Sequence, residues 1–349
     1  MKTPDRIYDI AIIGLGPAGA TFARLLNENF SVIAFDKKAT NDLGFQKPCG
    51  GLLSDDAQKI CAELNLCIPL HVLAEPQMFS IKTIDITNKK TRFYKRSYIN
   101  LNRHSFDLWL KSLIPQNIEI KNNEICTKIV FENNIYKITT KQGNTAHSYY
   151  AKYIIGADGA NSIVRKTLYP KKTPHSYLAI QQWFNDTHQN PFYACIFDKT
   201  LTDSYCWGLS KNKNFIIGGA FPIKNGHKHF ETLKQKLQTY DFKFDSELKT
   251  EACLVLCPSN PTQFCCGKNN AFLIGEAAGF ISPSSLEGIS YALKSAQILS
   301  KIFNHKTTNH NKYYSISTIP LRLKLCIKIL KAPFLFNPIL RKLAMNLPF

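Results

Sequence analysis

The sequence predicts a mixed α/β protein, with a Rossmann-like dinucleotide-binding lobe into which a lobe of antiparallel strands is inserted. Three observations predict it. The chain opens as strand, glycine-rich turn, helix and strand; a second buried strand, glycine-rich turn and helix recurs around Gly275; and the stretches between them alternate in strand fashion.

Tyr8-Asp9-Ile10-Ala11-Ile12-Ile13 is an apolar run suited to a strand buried on both faces, broken by Gly14-Leu15-Gly16-Pro17-Ala18-Gly19. Ala20 to Leu26 has helical apolar spacing, and Ser31 to Phe35 is the next strand, ending at Asp36. Ser54 and Asp55 cap a helix running through Leu64. Phe79 to Ile86 alternates as a strand, and Phe106 to Ile114 is an apolar-periodic helix. Short β-branched runs with Asn122-Asn123 and Asn133-Asn134 turns fill Ile118 to Ile155. Residues 175–262 form a second block of strands with a polar helix near 227–240. Ala271 to Gly275 is a buried strand and Leu286 to Phe303 a helix; after the polar break His305–Asn311 comes a basic, apolar tail. There Pro333 and Pro338 are expected to break the chain, leaving Phe334-Leu335-Phe336 as a wedge. The division is therefore 1–75, 100–172 and 265–304 for a discontinuous dinucleotide-binding domain, 76–99 and 173–264 for a substrate domain, and 305–349 for the tail. No internal repeat is present.

With 349 residues, 44 % of them hydrophobic and 12 % aromatic, the chain has too much apolar area for low-complexity disorder. No stretch approaches the ~18 apolar residues of a membrane span. The residues before Gly14 lack the features of a signal peptide, so the cytoplasm is the expected compartment. Lys and Arg total 44 against 25 Asp and Glu, and from Gly288 to Phe349 there are ten basic residues and no acidic one. Such a tract asks for an anionic partner. Lys324, Lys328 and Lys331 share one helical face, with Leu323, Ile327 and Leu330 elsewhere on the same turns. That suits either a helix lying at the inner face of an anionic membrane, over residues 315–349, or a cap on the nucleotide-binding lobe. No nucleic-acid recognition motif accompanies the charge, so nucleic acid is not expected. The eleven cysteines read as thiols. Cys253, Cys257, Cys265 and Cys266 match no zinc spacing, and no metal site is expected.

The Gly14-x-Gly16-x-x-Gly19 pattern follows a buried strand and opens a helix, and Asp36 closes the next strand. Gly14 permits the tight turn, Gly16 lets backbone approach a pyrophosphate, and Gly19 allows close helix–strand packing. Pro17 and Ala18 open the helix, whose free N–H groups at its N-terminus face the phosphates. Asp36, followed by Lys37, is placed to accept hydrogen bonds from a ribose diol.

Two later motifs narrow the dinucleotide. Gly156-Ala157-Asp158-Gly159-Ala160-Asn161-Ser162 precedes Val164-Arg165, and Gly275-Glu276-Ala277-Ala278-Gly279 precedes Pro283 and Glu287-Gly288. Together they resemble the flavoprotein hydroxylase and reductase superfamily with the p-hydroxybenzoate hydroxylase fold. The resemblance implies FAD, held in part by the segment containing Asp158, with Arg103 near its phosphates and ribityl chain. It also implies that Gly275-Glu276 meets the ribitol, where the family usually has Gly-Asp, and that the helix opening at Gly288-Ile289 aims its positive end at the flavin.

Lys47-Pro48-Cys49-Gly50-Gly51-Leu52 resembles the signature of the geranylgeranyl reductase branch, whose members reduce isoprenoid double bonds. Cys49, Gly50 and Gly51 then lie against the flavin, and Cys49 either donates a proton or only shapes the turn. The branch's Tyr-x-Trp-x-Phe-Pro motif survives as Tyr205-Cys206-Trp207 without the Phe-Pro. Alternation puts both rings on one side of a strand, as core aromatics or as a substrate wall. Gly44 to Leu53, Tyr98 to His104, Ala179 to Phe184 and Phe272 to Leu293 are similar to the CbrA family of bacterial flavoproteins, linked by name to resistance to colicin M, which destroys an undecaprenyl-linked precursor. The implied activity is FAD-dependent reduction of carbon–carbon double bonds in a polyprenyl lipid, with NADPH, NADH or ferredoxin left open as reductant. The alternatives are an FAD-dependent monooxygenase of an apolar substrate and a non-catalytic FAD-binding protein of the membrane surface.

Overall fold

The computed structural model describes residues 6–37, 46–305 and 307–347. Gly44 and Phe45 of the family-like stretch, and Pro348 and Phe349 of the tail, lie outside the described residues. The elements are β1 (Tyr8–Ile13), α1 (Pro17–Leu25), β2 (Val32–Asp36), β3 (Leu52–Leu53), α2 (Asp55–Glu63), β4 (Met78–Asp85), β5 (Lys90–Asn100), α3 (Arg103–Ser112), β6 (Glu119–Asn122), β7 (Ile125–Glu132), β8 (Ile135–Gln142) and β9 (Thr145–Gly156). They continue as α4 (Ile163–Leu168), β10 (Ser176–Asn185), β11 (Tyr193–Phe197), β12 (Cys206–Lys211), β13 (Asn214–Phe221), α5 (Gly226–Leu237), β14 (Glu247–Leu256), β15 (Gly267–Lys268), β16 (Ala271–Leu273), α6 (Ile289–Asn304), α7 (His310–Ser317), α8 (Ile319–Phe336) and α9 (Pro338–Ala344).

The strands form two sheets. In the first, β16, β9, β1, β2 and β6 run parallel in that order, with β7 and β8 continuing antiparallel from β9. Its central strands β1 and β2, with β16 and the end of β9, are buried runs because both faces are covered there. Helices α1, α2, α3 and α6 bury Phe22, Phe106 and Leu293 on one face, while Tyr136, Phe280 and Leu325 pack on the other. The second sheet runs β14-β10-β13-β12-β11-β4-β5-β3, mostly antiparallel, with α5 packed on Phe184, Phe215 and Phe221. The C-terminal ends of β1, β2, β9 and β16 all lie at one edge of the parallel sheet, so the loops after Ile13, Asp36, Gly156 and Leu273 converge there. That edge is where ligands enter such sheets.

The tail departs from expectation. Pro333 does not break the chain; it lies inside α8, and only Pro338 starts a new helix. A proline so near the helix end removes one hydrogen bond, and the last carbonyls, of Leu335 and Phe336, are taken by Arg341 at 3.1 and 3.2 Å. The tail is also tied to both sheets. Tyr314 Oη donates to the Leu273 carbonyl at 2.9 Å, Leu321 and Leu325 join the core under the first sheet, and Arg341 Nε donates to Asp85 of β4 at 2.7 Å. Phe336 packs on Phe197 of β11, 6.2 Å between centroids, rather than standing free as part of a wedge.

Candidate active site

The glycine loop is shaped by contact on one side and open on the other. Gly14, at φ +95°, could not carry a side chain: a Cβ would lie 2.7 Å from the Ala157 carbonyl oxygen. A Cβ on Gly19 would collide with the Gly14 carbonyl oxygen. At Gly16 a Cβ would meet nothing within 4 Å. Gly16 is the N-cap of α1, where no side chain caps the helix and no acidic residue sits in the first turn; Pro17 opens it and Ala18 is buried behind. The free N–H groups of that turn therefore face open space, which fits the pyrophosphate of a dinucleotide. Asp158, at the end of β9 against Gly14, accepts from Ile163 N–H at 2.7 Å, and its Oδ1 is buried with no partner among the described residues. Burial raises its pKa above the ordinary carboxyl value. An unsatisfied acceptor beside the phosphate loop fits a cofactor hydroxyl.

Three expected cofactor contacts look different in place. Asp36 is buried, and its Oδ2 accepts from Lys111 Nζ of α3 at 2.8 Å, so a ribose would share this carboxylate with a buried lysine; Lys37 beside it is exposed. Glu276 is held by protein groups at both oxygens: one pairs with Lys47, the other accepts from Leu256 N–H at 3.0 Å. Its extra methylene reaches the signature turn instead of standing free for the ribitol. Burial works against the charge on Lys47, but Glu276 holds its pKa above the ordinary lysine value. At the start of α6, capped by Gly288 and opening at Ile289, the Glu287 carboxylate takes the Ser290 N–H at 2.7 Å, so part of that positive end is already satisfied.

The Lys47–Leu52 turn is stitched to the start of α3. Gly51, at φ +65°, donates its N–H to Cys49 Sγ at 3.4 Å and accepts from Leu101 N–H at 2.9 Å; a Cβ there would collide with the Leu101 carbonyl. Lys211, from the end of β12, donates to the Gly50 carbonyl at 2.7 Å and the Leu101 carbonyl at 2.6 Å. It is 2 % exposed and forms no ion pair among the described residues. Burial lowers its pKa to about 7. Arg103 Nε donates to Asp107 at 2.8 Å on α3. Although burial disfavours its charge, Asp107 and the facing Cys49 sulfur raise its pKa. Cys49 thus sits between a guanidinium and a buried amine.

Opposite this turn stands an aromatic wall from the second sheet. A Cβ on Gly50 would lie 3.9 Å from Trp207, whose Nε1 points to Gln181 Oε1 at 3.4 Å. Tyr205 lies just before β12 rather than within it, its ring 5.9 Å from Trp207 and its hydroxyl donating to the Ser285 carbonyl at 2.6 Å. Tyr98 and Tyr193 pack edge to face at 5.7 Å. Burial raises the pKa of Tyr193 and Tyr205 well above the usual phenol value, and the influence of Cys49 reaches both. A cavity of about 180 Å³ opens between the turn and this sheet, bordered by Lys47, Cys49, Arg103, Gln181, Trp183, Lys211 and Glu251. Lys211, Tyr98, Tyr193 and Trp183 were not legible as site residues: a lysine before an Asn-Lys-Asn turn reads as a turn residue, and single aromatics in strands read as core.

The chain and its fold resemble known proteins. No family model matches the chain. It is 51 % identical over 340 residues to Protein CbrA of Shigella flexneri serotype 5b and to that of Escherichia coli O157:H7, covering 97 % of this chain and 93 % and 96 % of theirs. Among solved structures, the fold is shared with a geranylgeranyl bacteriochlorophyll reductase-like protein of Thermoplasma acidophilum, at TM-score 0.78 and 18 % identity over 95 % of this chain and 88 % of that one. PqsL of Pseudomonas aeruginosa, a probable FAD-dependent monooxygenase, superposes at TM-score 0.68 and 12 % identity over 97 % and 98 %. CmlS, a flavin-dependent halogenase, does so at 0.69 and 15 %, covering 93 % of this chain and 64 % of its own. The architecture is that of the p-hydroxybenzoate hydroxylase-like flavoproteins, and the chain belongs to the CbrA family.

Proposed function

We propose that this protein is an FAD-dependent oxidoreductase that reduces a carbon–carbon double bond of an apolar, polyprenyl-type substrate in the cavity between the two sheets. The observation that carries the reading is the Cys49-Gly50-Gly51 turn, which meets the dinucleotide-binding lobe on one side and the Trp207 wall on the other. Gly14, Gly16, Gly19 and Asp158 would hold the dinucleotide. FAD, when bound and reduced, would supply a hydride, one hydrogen together with its electron pair. The Cys49 thiol gives its proton to one alkene carbon, and Arg103, kept charged by Asp107, stabilises the thiolate left behind. Lys211 fixes the turn by its two carbonyl contacts. Trp183 lines the cavity, and the Tyr98–Tyr193 and Tyr205–Trp207 pairs beside the turn offer further aromatic surface to an unsaturated hydrocarbon.

The test is anaerobic photoreduction of the purified protein, followed by mixing with polyprenyl phosphate or with oxygen while the flavin spectrum is recorded. Reoxidation by the lipid alone, with a saturated product, is the expected result. Reoxidation only by oxygen, with a hydroxylated product, would replace the reading with a monooxygenase. Absence of flavin after purification and reconstitution would remove its foundation.

A further inference from the structure

The C-terminal helices present a second, unconnected feature on the outside of the molecule. Ile316 on α7 and Ile319, Leu323, Ile327, Leu330 and Phe334 on α8 follow one another at spacings of three and four residues, a single continuous helical stripe. All six are between 44 % and 69 % exposed. This inverts the usual arrangement, in which the apolar stripe faces the core. The stripe is held on a firm base: the opposite face of α8 buries Leu321 and Leu325, and Thr318 contacts Cys266 at 3.3 Å. On α9, Ile339 and Leu343 extend the apolar surface, while Arg341 is anchored inward on Asp85. Solvent-facing apolar area of this extent marks a contact surface.

Charge decides the occupant. Lys331 borders the stripe on α8 and Lys342 lies beside its continuation on α9, in a stretch with no acidic residue from Gly288 onward, while Lys324 is paired with Asp56 at 2.7 Å. A second copy of this chain would bring two basic faces together. An anionic lipid interface instead satisfies both properties at once: the stripe enters the headgroup–acyl boundary and the lysines meet the headgroups. We propose that the outer face of α7, α8 and α9 docks the protein on anionic phospholipid bilayers. The inference is independent of the redox chemistry, because it uses none of the residues of the cavity.

The test is flotation of the full-length protein with vesicles of phosphatidylglycerol and phosphatidylcholine, against phosphatidylcholine alone. Binding to the anionic vesicles, weakened by salt, is expected. The variant Leu323→Gln/Ile327→Gln/Leu330→Gln changes only exposed positions and is expected to lose at least about tenfold in affinity; Lys331→Gln/Lys342→Gln, also exposed, loses less and lowers the salt dependence. Ile327→Trp provides a direct readout, a blue shift of the tryptophan emission on adding anionic vesicles. The proposal is overturned if the folded protein ignores anionic vesicles, if the triple variant binds them as tightly as the parent, or if the stripe instead drives a concentration-dependent dimer that the triple variant abolishes.

Discussion

Cys49 is a small thiol whose setting is made by its neighbours, and its removal separates chemistry from binding. Cys49→Ala removes the Gly51 N–H contact to Sγ at 3.4 Å but keeps the Lys211 and Leu101 contacts of the turn, so the variant is expected to fold and retain flavin. Lipid-dependent reoxidation should fall by about 10²- to 10⁴-fold, the usual contribution of a positioned proton donor; an unchanged rate would assign the proton to water. Lys211 gives a pH signature. Its pKa is 10.5 in the ordinary state and about 7 when folded, so between those values the unfolded chain binds a proton that the folded chain has released. Its contribution to stability therefore rises with pH from about 7 upward, and the penalty is complete below that point. Lys211→Met, with Cys49 the titratable neighbour, is expected to remove a slope of up to about 1.4 kcal/mol per pH unit between pH 7 and 10, read by urea denaturation across pH.

At the level of elements, the β1–α1 junction is organised by close approach. The Gly19 Cα sits so near the Gly14 carbonyl that even a methyl group forces α1 away from β1. Gly19→Ala is expected to weaken flavin binding by at least about tenfold while leaving the second sheet intact, measured by flavin fluorescence on titration of the apoprotein. The same junction was readable in advance, since three glycines at these spacings after an apolar run have few other uses. The helix over Arg103–Ser112 was readable as a helix, but not as the element that delivers Lys111 to Asp36 and Arg103 to Cys49. Those partners lie dozens of residues apart, and periodicity carries no information about which buried charges meet. The uninterrupted α8 was unreadable for a related reason: the contacts that offset Pro333, Arg341 on the terminal carbonyls and Phe336 on Phe197, come from tertiary packing.

For the whole molecule, the tail acts as a strap, with α7 and α8 seated on the first sheet and α9 on the second. Its distal anchor is the buried Arg341–Asp85 pair, with Asn88 donating to the Pro338 carbonyl at 2.8 Å. Arg341→Ala leaves a buried carboxylate unpaired and is expected to cost about 3–5 kcal/mol by denaturant unfolding. Burial alone would raise the Asp85 pKa, but Arg341 and Asn88 bring it below 3.8. A carboxyl lowered on folding contributes stability that is present above its unfolded value and is lost as pH falls through its folded value. The parent should accordingly lose stability in acid below pH 4 more steeply than the variant.

The sequence by itself determined the α/β class, the opening β-α-β unit, the glycine loop and the family, because strand and helix periods and glycine spacings are local properties of the chain. Only the tertiary structure decided which groups occupy one another. It committed Glu276 to Lys47, brought Lys211 and an aromatic wall to Cys49, and turned one face of α8 inward while leaving an apolar stripe facing out. The physical reason is that buried charges and apolar faces are satisfied by partners chosen through space, and those partners are set by how the two sheets and the strap close on each other.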